Sequence, residues 1–280
     1  MSQPSVFEEN MTCQPQPCEQ EQTNQAPSGK NIHLTISYDG TNFCGWQRQD
    51  NTRTVQGEIE KVLEKIHKQK TDAQGSGRTD SGVHAVGQTV TFISPIDNMK
   101  SESYIPAMNS LLPQDIRVVG AKEVPMEFSA RFNATSRTYR YFINCSETPM
   151  AHQMPYSWAI RRQPDINKLN RMASCLYGEL DCTTFAYASD ISPSKFRYIE
   201  KAIFYPDGDF LVFEITANAF LWKMVRSITC SLLEFEKKGF DESYFKQVLE
   251  AKNRKLAGFT APPQGLFLWS VSYEGTRRHV

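Results

Sequence analysis

From residue 31 onward, two periods of hydrophobic residues alternate along the chain, and their order limits the possible folds. Between Asn31 and Tyr38 every second residue is apolar, which is the period of a half-buried strand. Thr54 then occupies the N-cap position of a predicted helix, because apolar residues recur after it at helical spacing. A strand, another strand, a helix and a final strand are predicted near residues 72–77, 88–94, 102–112 and 115–124. The order is therefore β-α-β-β-α-β.

The rest of the chain repeats this order. Asp165 is the predicted N-cap of its first helix, and the segment 206–209 has the composition of a tight turn between two strands. The strands of this part are predicted near 138–145, 195–205, 210–216 and 265–273, and the helices near 166–176, 220–235 and 241–251. Two successive βαββαβ units predict an α+β fold made of two ferredoxin-like halves.

We expect these halves, residues 31–127 and 128–280, to form one extended, mixed and mainly antiparallel sheet with the helices on one side. A cleft between the halves is then the expected place for a ligand site. Residues 1–30 contain six Gln, four Pro and few hydrophobic residues, so they cannot bury enough apolar surface to offset the entropy of ordering. The sequence therefore predicts a disordered tail there.

Charge, cysteine content and hydropathy exclude several classes of protein. The chain has 31 basic and 31 acidic residues, but the 250 residues after the tail hold 30 basic and 27 acidic ones, which permits a local basic cleft. Seven cysteines without a C-x-x-C spacing indicate free thiols, and five histidines without ligand spacing give little support to a metal site. No apolar run approaches the roughly 20 residues of a membrane helix, and no signal peptide is evident. We therefore expect a cytoplasmic protein with no membrane segment.

A glycine-rich loop at residues 75–85 carries a carboxylate, a guanidinium and an imidazole, those of Asp80, Arg78 and His84. It is not a phosphate-binding loop, because no Gly-Lys-Ser/Thr follows, and aspartate at position 80 breaks the dinucleotide-binding pattern. A structural role is the better explanation of the loop taken alone: its glycines would make reversals, and Asp80 would cap a turn and pair with Arg78. His84 by itself is better explained as a packed residue than as a base.

Two further clusters have the composition of an RNA-binding surface. Residues 38–49 alternate aromatic residues with glycines and with amide or basic groups, and residues 131–141 contain three arginines and two tyrosines. Each has a structural alternative, because aromatic residues also cover sheet edges and arginines also form solvated strand faces. A third segment, 218–226, places Arg226 at helical spacing from Phe220 and Lys223, where it either pairs with a carboxylate or extends its head to water.

Seven segments, taken together and in order, resemble the TruA family of tRNA pseudouridine synthases over residues 31–274. The segments are YDGTNFCGWQRQ, TVQGEIE, GSGRTDSGVHAVGQ, LPQDIRV, FSARFNATSRTYRY, NAFLWKMVR and APPQGLFL. The resemblance implies isomerisation of uridine to pseudouridine in the anticodon arm of tRNA, without a metal or other cofactor. It also implies a homodimer in which one tRNA can touch both subunits.

Roles for single residues come from the same resemblance. Asp80 aligns with the catalytic aspartate, which acts as nucleophile or base, and Arg226 aligns with the basic residue that pairs with it. Tyr139 aligns with the tyrosine that stacks on the target uracil and assists loss of the C5 proton, and Arg78 with a residue that handles the flipped-out nucleotide. The other candidate RNA contacts are Trp46, Gln47, Arg48, Arg131, Arg137, Arg140 and Lys223.

The chain departs from the family pattern at Asp181-Cys182, where Asp-Phe is usual, and at Cys230, where a glycine is usual. Both changes concern packing or a subunit contact. Two other functions stay open: a tRNA-binding or tRNA-folding module without catalysis, and a base-excising glycosylase. The presence of Asp80, Tyr139 and Arg226 argues against a module without catalysis. Analysis of the product would distinguish a glycosylase from a pseudouridine synthase.

Overall fold

The computed structural model describes residues 29–278, and within them the chain forms ten strands and five α-helices. The tail predicted over residues 1–30 lies almost entirely outside the described residues. The first half contains β1 (Lys30–Tyr38), α1 (Val55–His67), β2 (Gln74–Gly75), β3 (His84–Ser94), α2 (Tyr104–Asn109) and β4 (Ile116–Val124). The second half contains β5 (Ser136–Asn144), β6 (Trp158–Ala159), α3 (Ile166–Ser174), β7 (Gly178–Asp181), β8 (Phe196–Asp207), β9 (Phe210–Ala217), α4 (Met224–Lys237), α5 (Glu242–Glu250) and β10 (Leu266–Ser272).

All of these strands belong to one sheet, whose main path runs β4-β1-β3-β10-β5-β9-β8-β7. Strand β2 pairs with β3, and β6 pairs with β5, beside this path. The pairing is antiparallel except where β10 meets β3 and where β6 meets β5. This mixed, mainly antiparallel sheet with five helices confirms the predicted α+β class.

Strand β3 is shared between the two halves. Toward its C-terminal end Val90 and Thr91 pair with β2, whereas at its start His84 and Ala85 pair with β10, the last strand of the chain. The glycine-rich loop connects β2 to the start of β3. It therefore lies where the two halves meet, which is the position expected for a ligand site.

Local sequence explains the main elements. The hydroxyl of Thr54 accepts a hydrogen bond from the Gly57 N–H, and the carboxylate of Asp165 accepts one from the Lys168 N–H, which confirms both predicted N-caps. In β1 the alternating residues Ile32, Leu34 and Ile36 are fully buried, as the period of two requires. A single continuous hydrophobic core runs through both halves.

Three predicted elements differ from the structure. The strand predicted near 72–77 is only two residues long, and the helix predicted over 102–112 spans Tyr104–Asn109. The helix predicted to carry Phe220 begins at Met224 instead, so helical spacing does not relate Arg226 to Phe220 and Lys223. Lys223 is left-handed with φ of 58°, and the N–H of Trp222 donates to the side chain of the distant Asp190 rather than to a helical carbonyl.

Other sequence features can be located in the described part of the chain. Cys182 and Cys230, the two departures from the family pattern, are both fully buried, as a role in packing requires. No helix within residues 29–278 has the length and apolar character needed to cross a membrane.

Candidate active site

The glycine-rich loop is held in place by the loop that follows β1. The hydroxyls of Tyr38 and Thr79 are 2.8 Å apart, and both residues are buried. Gly45 has φ of 86°, and a Cβ there would lie 2.7 Å from the Thr79 carbonyl oxygen. Only glycine satisfies both constraints, so the two loops can approach closely enough to fix the backbone beside Asp80.

The carboxylate of Asp80 receives one hydrogen bond on each oxygen. Arg226 Nη1 donates to Oδ2 at 2.8 Å, and the indole Nε1 of Trp222 donates to Oδ1, also at 2.8 Å. The side chains of Asp80 and Arg226 are 18% and 11% exposed, so their ion pair is largely shielded from water while the carboxylate stays accessible. A carboxylate has about four lone-pair positions, so acceptor capacity remains for a substrate.

Arg226 is fixed independently of the ion pair. It lies in the first turn of α4, and its Nε donates to the Ala261 carbonyl at 2.7 Å. The Ala261 N–H in turn donates to the Arg226 carbonyl at 3.3 Å. The guanidinium is thus oriented toward Asp80 by the segment that precedes β10, before any substrate binds.

Tyr139 lies on β5 between its neighbours Leu268 of β10 and Ile215 of β9, and only 8% of it is exposed. Its ring meets the ring of Phe220 edge to face at 5.1 Å between centroids. Burial raises the pKa of the Tyr139 hydroxyl well above its usual range, and the nearby negative charge of Asp80 raises it further. The hydroxyl is therefore protonated at neutral pH.

The structure brings Asp80, Tyr139 and Arg226 together from three separate parts of the chain. Arg78 lies two residues before Asp80 and is exposed, and no hydrogen bond or ion pair of its side chain occurs among the described residues. His84 is 1% exposed, with its ring stacked on that of Phe267, which confirms that it is a packed residue.

Four of the basic candidates for RNA contact lie at the surface or near it. Arg131 is exposed, and Arg48 is 59% exposed although it pairs with Glu60. Arg140 pairs with Glu214 at 2.6 Å and lies over the ring of Trp269. The ammonium group of Lys223 lies 3.6 Å from the centroid of the Tyr187 ring.

The remaining candidates, Trp46, Arg137 and Gln47, are less accessible to RNA. Trp46 is 2% exposed, so its ring is part of the core and cannot stack on a base in this structure. The guanidinium of Arg137 donates to four backbone carbonyls, so it joins protein segments rather than facing an RNA phosphate. Gln47 is partly exposed, and its amide donates to Gln56. These positions correct the expectation that Trp46 and Arg137 contact RNA: Trp46 belongs to the core, and Arg137 binds backbone carbonyls.

Trp222 is the residue of this site that sequence reasoning missed. It belongs to one of the family's segments, but nothing in the spacing of that segment indicates a contact with a loop 142 residues earlier in the chain. Its exposure of 45% is visible only in the structure, where a large aromatic side chain left at a surface often contacts a ligand.

Known proteins are similar to this chain over most of its length. The family profile described as tRNA pseudouridine synthase matches residues 34–133 and 172–274 of the chain. The chain belongs to the tRNA pseudouridine synthase family. It is accordingly an RNA pseudouridine synthase, an isomerase, as the resemblance implied.

Individual relatives are similar over most of their length. The tRNA pseudouridine synthase A of Treponema denticola is 60% identical over 249 residues, covering 87% of this chain and 93% of that protein. The protein of the same name from Treponema pallidum is 53% identical and covers 82% of this chain and 84% of that protein. The one from Borrelia turicatae is 43% identical and covers 88% of this chain and all of that protein.

Within residues 29–278, no group of three or more His, Cys, Asp or Glu side chains is arranged to hold a metal ion. That the reaction uses no cofactor stays a prediction. The charged and proton-bearing groups that meet at the site are the carboxylate of Asp80, the guanidinium of Arg226 and the hydroxyl of Tyr139.

Proposed function

We propose that Asp80 is the catalytic carboxylate with which this chain converts uridine to pseudouridine in tRNA. The observation that carries this proposal is the shielded ion pair between Asp80 and Arg226, which joins the two halves beside the ring of Tyr139. An ionised oxygen held by fixed donors, in a cleft that excludes much of the water, is suited to react with a sugar.

The reaction breaks the bond between N1 and C1′, turns the base and joins C5 to C1′. C5 loses a proton and N1 gains one, so the product has the same composition as the substrate. Asp80 either attacks C1′ to form a covalent intermediate or removes a sugar proton to give a glycal. Both routes need a negatively charged oxygen, which Arg226 stabilises at 2.8 Å.

We assign Tyr139 to the target base. In this role its ring stacks on the uracil, and its protonated hydroxyl assists loss of the C5 proton to solvent while N1 takes up a proton from solvent. The target must leave its stack, which costs a few kcal/mol, and stacking on an aromatic ring returns about 1–3 kcal/mol. Because these two free energies nearly cancel, phosphate contacts must supply most of the affinity.

The accessible basic residues Arg48, Arg131, Arg140 and Lys223 are our candidates for those phosphate contacts, with Arg78 next to the flipped nucleotide. We further propose that the modified uridines lie in the anticodon stem-loop, that the enzyme acts as a homodimer, and that it works in the cytoplasm with its tRNA. Mapping of pseudouridine by carbodiimide modification and primer extension tests the position, and sedimentation analysis tests the dimer.

The deciding experiment is tritium release from unmodified tRNA labelled at C5 of uridine. We expect release by the wild-type protein and none by Asp80→Ala or Asp80→Asn, while both variants keep tRNA affinity within a few-fold. Asp80→Asn is the sharper variant because it keeps the shape of the side chain while it removes the charge and one of the two acceptor oxygens.

Each of the other outcomes is distinct. Wild-type turnover by the Asp80 variants would remove the assigned role from this carboxylate. Binding of tRNA without any release would favour a binding or folding module. Free uracil and an abasic ribose among the products would indicate a glycosylase instead.

A further inference from the structure

We propose that Trp222 is a positioning residue for Asp80, and that the exposed face of its indole receives an RNA base next to the target uridine. The proposal rests on the proposed function of Asp80. Trp222 is the second donor to the carboxylate of Asp80: its Nε1 donates to Oδ1, whereas the ion pair with Arg226 engages only Oδ2.

The two donors fix the carboxylate better than either alone. Arg226 lies at the start of α4, and Trp222 lies in the turn that precedes this helix, so they approach Oδ2 and Oδ1 separately. With both hydrogen bonds in place, both oxygens of the carboxylate are fixed, and so is the orientation of its plane. Loss of the Trp222 bond would free the carboxylate to rotate about the remaining bond to Arg226, so fewer molecules would hold the carboxylate in its reactive orientation.

Trp222 is itself held on its backbone. Its N–H donates to Asp190 Oδ2 at 2.7 Å, and its carbonyl accepts a hydrogen bond from the Tyr187 N–H at 3.1 Å. Burial alone would raise the pKa of Asp190, but hydrogen bonds from Lys195 and from backbone N–H groups outweigh it and lower that pKa. Asp190 is therefore negatively charged at neutral pH and is a strong acceptor for the Trp222 N–H.

The ring of Trp222 is more exposed than a role in packing alone requires. It packs on the Tyr187 ring with centroids 4.6 Å apart, and the Lys223 ammonium lies 4.9 Å from its own centroid, yet 45% of the residue faces solvent. An exposed indole beside a cation, at the entrance to a carboxylate that reacts with RNA, has the composition of a stacking platform.

Trp222→Phe separates the two parts of the proposal, because phenylalanine keeps an aromatic face and removes the N–H. We expect the single-turnover rate of pseudouridine formation, at saturating enzyme, to fall about tenfold, the loss expected for one hydrogen bond to a charged group. The dissociation constant for tRNA, measured by filter binding, should stay within about twofold. Trp222→Ala should lose the same factor in rate and, in addition, about tenfold in affinity.

Trp158→Phe is the matched control, since Trp158 lies on β6 and packs against Phe259. It should keep the wild-type rate and affinity within about twofold. A residue with only a packing role would be rescued by phenylalanine in both measurements. A wild-type rate in Trp222→Phe would therefore overturn the positioning role, and unchanged affinity in a folded Trp222→Ala would overturn the stacking role.

These outcomes are distinguishable from failure of the proposed function. If the wild-type protein forms no pseudouridine, the proposed function fails and this inference fails with it. If the wild-type protein is active and the Trp222 variants match it, only this inference fails. Circular dichroism and thermal unfolding of each variant show whether the fold is intact, and Trp222→Phe alone tests the hydrogen bond if Trp222→Ala does not fold.

Discussion

Arg226 and Asp80 are 146 positions apart in the sequence, and their side chains meet at 2.8 Å. One residue comes from each half of the chain. The site therefore exists only when the halves share one sheet, which they do because β10 pairs with β3 at the end of the glycine-rich loop. Docking of the two halves and assembly of the reactive carboxylate are the same structural event.

The role of the ion pair between Asp80 and Arg226 can be tested by removing Arg226. Arg226→Ala removes the cation that orients the Asp80 carboxylate, and loss of one such electrostatic contact at an active site typically costs about 3 kcal/mol of activation free energy, or roughly a hundredfold in rate. We expect a fall of that size in single-turnover isomerisation. Arg140→Ala is the comparison, because Arg140 pairs with Glu214 on the sheet and not with the site. Equal losses in the two variants would count against the assigned role of Arg226.

Removal of the Tyr139 hydroxyl tests its part in proton transfer. Tyr139→Phe keeps the ring that packs against Phe220 and deletes only the oxygen, so binding should be preserved. Positioned acid-base groups contribute at least about a hundredfold, and we expect a loss of that size in pseudouridine formation. The measurement is the rate of product formation in a nucleoside digest. Full activity in this variant would limit Tyr139 to stacking.

Arg137 should matter for stability rather than for RNA binding. Its guanidinium donates to the carbonyls of Ser76, Arg131, Ala134 and Asn218, and so joins the glycine-rich loop to the second half. Arg137→Ala leaves these carbonyls without their donor, and we expect a loss of about 2–4 kcal/mol in the free energy of unfolding. Urea denaturation measures the change.

The matched control for Arg137 is Arg131→Ala, six residues earlier and exposed. It should leave the midpoint of unfolding unchanged within error and weaken tRNA binding in a salt-dependent manner. If Arg137→Ala unfolds at the wild-type midpoint, the four hydrogen bonds contribute little, and a direct RNA contact for this residue becomes the better explanation.

His33 gives the protein a defined pH dependence of stability. Its ring is buried against Phe128 and Tyr273, and burial, aided by the charge of Lys122, lowers the pKa of His33 to about 4. In the unfolded chain the pKa is about 6.5. The unfolded state therefore takes up a proton that the folded state does not, so stability from this group is complete above pH 6.5 and is lost as the pH falls toward 4.

The measurement is urea unfolding of the wild-type protein and His33→Gln between pH 7.5 and 4.5. The wild-type protein should lose about 2 kcal/mol more than the variant over this interval, because glutamine does not titrate. Groups that titrate in both proteins cancel in the difference. Parallel curves would show that His33 is protonated without opposing the fold.

Much of the fold followed from patterns that act over a few residues. The alternation in β1, the N-caps at Thr54 and Asp165 and the order of the longer elements were predictable, because strand and helix periods and capping hydrogen bonds are local; the short strands β6 and β7 were not predicted. The short β2 and the late start of α4 were not, because contacts with distant segments decide them. The N–H of Trp222 bonds to Asp190, and no local rule indicates that partner.

The sequence by itself determined the family, the α+β class and the identity of Asp80, Tyr139 and Arg226 as candidates, because those residues lie within recognisable motifs. Only the tertiary structure decided how they meet. It also placed Trp46 in the core, gave Arg137 to backbone carbonyls and brought Trp222 to Asp80. These outcomes depend on which side chains meet when distant parts of the chain pair in one sheet. The spacing of residues within a motif does not indicate such contacts.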